Sequence, residues 1–202
     1  MLFTINNENP QMRLVRKAVD ILHEGGIIIY PTDTTYGIGC DLFNKRGIEK
    51  IYEIKKRNAT QPFSFVCADL SDISNYAVVT NYAYKIMRHL LPGPYTFILG
   101  ASRTVPKVLL PKRKYVGIRV PDNTICQTLV REFGHPIIST TVKSPDGTIM
   151  TDPEEMERFY RHQIDVVIDG GFVGSDLSSV VSLIDDTPEI IRAGKGDLSA
   201  FQ

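Results

Sequence analysis

The sequence predicts an α/β fold (α/β or α+β): one domain built on a twisted, mixed β-sheet with flanking helices. Three observations carry that expectation. Short apolar runs such as residues 27–30 alternate with stretches whose apolar residues recur at helical spacing, such as Leu14, Val15, Ala18, Val19, Ile21 and Leu22. Some gaps between strand runs, 185–188 among them, are too short for a crossover helix, so antiparallel pairs are expected beside parallel ones. No linker-like segment or internal repeat divides the 202 residues, a length that suits a single domain over 1–202.

The elements follow in order. A helix is expected over 12–24, ended by Gly25-Gly26, because glycine takes the left-handed backbone that closes a helix without steric cost. Residues 27–30 are apolar throughout, as in a strand buried on both faces. Asn44 can cap a helix running to 56, with Ile48, Ile51 and Tyr52 on one face. A strand over 63–67 precedes a helix over 81–91, with Ile86, Leu90 and Leu91 inward and Pro92-Gly93-Pro94 as its stop. Strands at 95–99 and 115–120, a helix at 123–133, a strand at 136–141, an acidic helix at 152–161 and strands at 165–168, 180–184 and 189–191 complete the chain.

Composition narrows the function classes. With 43% apolar and 23% charged residues the chain is neither disordered nor fibrous. The longest apolar run is strand-sized, far below the ~20 residues of a membrane span. The N-terminus has no basic region leading into an apolar one, so a cytoplasmic protein with no membrane partner is expected. Cys40, Cys67 and Cys126 stand far apart, a pattern of buried thiols rather than of disulfides or zinc. The four histidines are isolated, so no protein metal site is expected.

Charge is unevenly spread although it sums to zero. Residues 1–144 carry 19 Lys and Arg against 11 Asp and Glu, whereas 145–189 carry 2 against 11. Within the basic part, 101–121 holds six cations and no acid, a stretch suited either to an anion or to a solvated face.

The common catalytic templates are missing: no G-x-S-x-G, no P-loop and no dinucleotide fingerprint. Gly170-Gly171-Phe172-Val173-Gly174 lacks phosphate-loop spacing and reads as a turn. What remains is Pro31-Thr32-Asp33-Thr34-Thr35-Tyr36-Gly37, four hydroxyls and a carboxylate in a loop leaving a strand end, where α/β sheets place ligands. Lys55-Lys56-Arg57 closes the Asn44 helix, where cations also complement the helix dipole.

Seven ordered segments together resemble the YrdC-like superfamily. They are YPTDTTYGIGCD (30–41), IKKR with QPFSFV (54–57 and 61–66), LPGPYTFIL (91–99), VGIRVPDN (116–123), PIISTTVKSPDG (136–147), GG…SSVVSL (170–183) and IIRAGKGD (190–197). The resemblance covers about residues 12–196. It implies a twisted mixed sheet with a basic concave surface. The reaction it implies joins L-threonine, bicarbonate and ATP into threonylcarbamoyl-AMP and pyrophosphate, feeding a tRNA modification. Mg²⁺ would ride mainly on the phosphates of ATP. The nucleophile would be a carbamate formed on threonine's own amine, so the protein's task is to hold anions together and stabilise developing charge.

Residue by residue, the resemblance implies that Thr34, Arg119, Ser139 and Ser179 meet threonine, Arg119 taking its carboxylate with a bidentate fork. Lys55 and Arg57 match the phosphate-binding pair and are the catalytic candidates; Gln61, Thr141 and Arg192 match nucleotide-contacting positions. Lys112, Arg113, Lys114 and Lys143 are candidates for RNA, since family members also bind double-stranded RNA.

The departures point to the YciO branch. Thr141-Val142-Lys143 replaces S-x-N, putting an ammonium that only donates where an amide both donates and accepts. Gln61 replaces an asparagine, Val66 a histidine of some members, and Tyr115 a small hydroxyl residue. Two functions are therefore carried forward: a threonylcarbamoyl-AMP synthase-like nucleotidyltransferase, and a non-catalytic nucleotide or double-stranded RNA binder.

Overall fold

The computed structural model describes residues 1–55, 63–71, 73–110 and 114–201. Their elements run, in chain order, β1 (Leu2–Thr4), α1 (Met12–His23), β2 (Ile28–Tyr30), β3 (Gly37–Asp41), α2 (Lys45–Ile54), β4 (Ser64–Val66), α3 (Ile73–Tyr76), β5 (Ala77–Val78), α4 (Asn81–Leu90), β6 (Tyr95–Ala101), β7 (Tyr115–Arg119), α5 (Thr124–Phe133), β8 (Ile137–Thr141), α6 (Pro153–Tyr160), β9 (Val166–Asp169), β10 (Ser179–Ser182) and β11 (Glu189–Arg192). All the strands join one sheet in the order β1-β9-β2-β3-β8-β4-β7-β6-β10-β11, with β5 on the far half of β6. The pairs β1–β9, β2–β9, β4–β7 and β6–β10 are parallel and the others antiparallel, so the sheet is mixed, as the short gaps predict.

Local signals placed most helices. Asn44, Asn123 and Asp152 each accept backbone N–H bonds in the first turn of α2, α5 and α6. Gly25 follows α1 at φ +83. Helix α4 turns Ala83 and Met87 fully inward, while Ile86 and Leu90 are only partly buried. Of the three residues expected inward, Leu91 is buried in the core, whereas Ile86 and Leu90 pack against its margin.

Four elements lack a clear signal in the sequence. β1, α3 and β5 are each four residues or fewer, too short to show a period. β3 was hidden by Gly37 and Gly39, which lower strand propensity. Tertiary packing demands both: a Cβ on Gly39 would lie 2.4 Å from the Ile138 carbonyl, and the Tyr30 ring lies across the pair.

Strand alternation sorts side chains into two cores. Ile29, Ile38, Phe65, Phe97 and Ile118 face α2, α4 and α6 through Ile48, Ile51, Met87 and Met156. Ile28, Tyr30, Val66, Ile137, Val166 and Ile168 face α1 and α5 through Val15, Leu22, Ile125 and Leu129. Among the described residues these two helices cover only part of that second face. Over β7, β6, β10 and β11 it opens into a cavity.

Candidate functional site

The cavity has a volume of about 460 Å³, and its floor is the uncovered half-face of the sheet. Ser139, Ser64, Gly117, Ile98, Ser182 and Glu189 are register partners across β8, β4, β7, β6, β10 and β11, and all six line it. β7 shows how the sequence writes this floor: Val116 and Ile118 enter the core, while Tyr115, Gly117 and Arg119 face the cavity.

Two guanidinium groups enter from strand ends. Arg119 Nη2 donates to Asp33 Oδ1 at 2.5 Å, to Thr32 Oγ1 at 3.2 Å and to Thr34 Oγ1. The 31–37 loop thus holds Arg119 from behind, and Lys195 Nζ donates to the Asp33 carbonyl at 2.6 Å. The second group, Arg192, is aimed by a β-bulge. Val181 pairs with Ile190 but Val180 with Arg192, so Ile191 is the extra residue, and both Ile191 and Arg192 line the cavity. Arg192 Nε and Nη2 donate to the Ser178 carbonyl at 3.1 and 2.8 Å, and Nη2 reaches Ser178 Oγ at 3.1 Å. Ser178 Oγ is in turn 2.9 Å from Thr96 Oγ1. Burial, and secondarily the Arg119 charge, lower the pKa of Arg192 from its ordinary value.

The other predicted residues fall as follows. Ser139 and Thr141 line the cavity beside Arg119 and Arg192. Lys55 is the C-cap residue of α2, and its Nζ donates to the Thr141 carbonyl at 3.0 Å. Thr34 lies behind Arg119, and its neighbour Thr35 lines the cavity. Ser179 is completely buried: its hydroxyl donates to the Gly196 carbonyl at 2.7 Å and accepts from the Gly194 N–H at 3.1 Å. The lining hydroxyl of that loop is Ser178, one residue earlier, because β10 begins at Ser179 and turns successive side chains to opposite faces. Lys143 is outside the described lining, and its carbonyl accepts from the Tyr160 hydroxyl. Lys114 is exposed at the start of β7. Arg57, Gln61, Lys112 and Arg113 lie outside the described residues.

The bidentate fork expected of Arg119 is not the one presented. Nη2 is committed to the 32–34 loop, and Nε is buried with no hydrogen-bond partner. Sequence reading also missed Tyr30, Ser64, Thr96 and Ser178. Of these, Ser64 and Thr96 are visible in the sequence as lone hydroxyls in apolar strands. The described lining holds no His or Cys, and the three cysteines are buried thiols outside any disulfide. Burial pushes the Cys126 thiol up to about 12, against the opposite pull of Arg119. Among the described residues no group of three or more His, Cys, Asp and Glu is placed to hold a metal, and no helix is long and apolar enough to cross a membrane.

A mixed sheet with a hydroxyl floor and two converging guanidinium groups is an α/β protein with a cationic cleft. The chain belongs to the Sua5/YciO/YrdC family, whose model, described as "Telomere recombination", matches residues 20–194. The structure is similar to the crystal structure of E. coli YciO, with a TM-score of 0.94 at 40% identity, covering 100% of this chain and 99% of that one. It is also similar to P. abyssi Sua5 complexed with L-threonine, with a TM-score of 0.89 at 25% identity, covering 96% of this chain and 57% of that one. The threonylcarbamoyl-AMP synthase of Bos taurus is 30% identical over 181 residues, 90% of this chain and 65% of that protein.

Proposed function

We propose that the protein is a threonylcarbamoyl-AMP synthase-like nucleotidyltransferase of the YciO branch. The observation that carries this reading is the convergence of Arg119 and Arg192 on one cavity whose floor carries Ser64, Ser139 and Ser182 and whose described lining offers no His or Cys nucleophile. Such a site suits a reaction whose nucleophile comes from the substrate. Threonine's amine and bicarbonate give a carbamate and water. A carbamate oxygen then attacks the α-phosphorus of ATP, and pyrophosphate leaves. Two guanidinium groups held in place by the protein stabilise charge on anionic oxygens without reorganising. Arg119 meets the amino acid's carboxylate. Arg192 meets the nucleotide, with Lys55 and Arg57 completing the phosphate-binding set. Mg²⁺ enters on the phosphates of ATP. The relatives named for the synthase, and the relative complexed with L-threonine, support the choice of substrate.

A second reading, nucleotide binding without turnover, draws on one observation. Thr141 keeps a hydroxyl in the cavity, but Val142 is core and Lys143 is outside the described lining, so no side chain at 143 replaces the amide there. Pyrophosphate release is measured with ATP, Mg²⁺ and bicarbonate, with and without L-threonine, and the product is weighed by mass spectrometry. Threonine-dependent release of the adenylate is expected. ATP binding with no release in either condition would decide for the binder.

A further inference from the structure

Tyr30 ends β2 beneath the cavity floor and is fully buried. Its hydroxyl donates to Ser139 Oγ at 2.7 Å. The ring fills a slot that two glycines leave open. A Cβ on Gly37 would lie 2.8 Å from Ser139 Oγ and 3.1 Å from the ring, and one on Gly39 would lie 3.3 Å from the ring. Burial raises the phenol's pKa far above its ordinary value, so Tyr30 keeps its proton through the neutral range.

A hydroxyl has one proton to give. Ser139 Oγ already accepts from Tyr30 and has no other side-chain or backbone partner among the described residues. Its own proton is therefore left for the cavity it lines. We infer that Tyr30 is a positioning residue: by donating to one lone pair of Ser139 Oγ it orients this hydroxyl so that its proton faces the cavity and is offered to an oxygen of the ligand. The inference rests on the cavity's being the ligand site proposed above. Tyr30 is closed to any ligand and acts only through Ser139.

A double-mutant cycle isolates this action. ATP and L-threonine binding are measured separately by calorimetry on the wild-type protein, Tyr30→Phe, Ser139→Ala and the double variant. The two ligands distinguish a phosphate from a carboxylate as the source of the oxygen. For at least one ligand, each single variant is expected to bind about 3- to 10-fold more weakly, and the double variant no more weakly than Ser139→Ala. A purely structural role for Tyr30 would instead multiply the two losses. That result overturns the relay, as does unchanged binding of both ligands by Tyr30→Phe, or a wild-type protein that binds neither. Binding that follows the cycle without any pyrophosphate release would strike the proposed activity alone. Should Tyr30→Phe not fold, Ser139→Cys keeps the packing with a weaker donor and acceptor. It is expected to lose affinity at an unchanged melting temperature, and unchanged affinity would overturn the inference.

Discussion

Arg119 and Asp33 form a half-made ion pair: Nη2 meets Oδ1 at 2.5 Å, while Arg119 Nε and Asp33 Oδ2 are buried with no hydrogen-bond partner. A full fork would have joined those two atoms as well. The loop instead turns Asp33 so that Thr32 and Thr34 share Nη2. Both side chains are close to nine-tenths buried, so each is the other's main compensation for lost hydration.

Removing one partner should cost more than removing both. Arg119→Ala strands a buried carboxylate and is expected to destabilise by about 3–5 kcal/mol. Arg119→Ala combined with Asp33→Ala is expected to be more stable than Arg119→Ala alone. Urea unfolding of the three proteins checks this; a double variant less stable than the arginine variant would refute the pairing.

Arg192 should matter for ligand more than for fold. Its side chain is exposed overall, and two of its nitrogens are already used on Ser178. Arg192→Ala is expected to weaken ATP binding by about 10- to 100-fold, the weight of hydrogen bonds to a charged group. Calorimetry with ATP, beside a melting curve within a few degrees of wild type, is the measurement.

Gly37→Ala tests the slot under the floor. Its Cβ would press on Ser139 and Tyr30, and the expected loss is about 1–3 kcal/mol, as for overpacked cores. At roughly 2–4 °C per kcal/mol, melting should fall visibly. Gly174→Ala is the contrast: its nearest neighbour would be the Thr34 carbonyl at 3.7 Å, ordinary contact, and melting should hardly move.

Alkaline pH should destabilise the protein through Cys126. Burial raises its pKa from 9.0 to about 12, so between those values the folded state binds a proton that the unfolded state has released. Stability is therefore complete below pH 9.0 and falls as pH rises toward 12, by up to about 1.4 kcal/mol per pH unit for one group. Chemical denaturation from pH 8 upward should show a shallower decline for Cys126→Ala than for wild type. Equal slopes would remove Cys126 as a cause.

Much of the fold was legible because its signals are local. Asn44, Asn123 and Asp152 sit within three residues of the N–H groups they accept from, so the caps follow from sequence neighbours alone. Alternation along 115–119 likewise separates a core face from a cavity face before any partner strand is known. The hydroxyl-rich 31–37 loop stood out because its polarity exceeds what a turn requires. β3 did not stand out, because a glycine chosen for close backbone approach looks the same in sequence as one chosen for a turn.

Residue order alone specifies the alternating strands and helices, the family signature and the residue types brought to the site. Tertiary structure alone decided how those residues are used. Arg119 spends Nη2 on Asp33, 86 positions away, and Arg192 reaches the cavity through a bulge whose register is set by β10. Ser178 rather than Ser179 faces the ligand side, because a strand turns each successive side chain to the opposite face. Each of these outcomes depends on which strand lies alongside, and pairing energy between distant segments leaves no trace at either position taken alone.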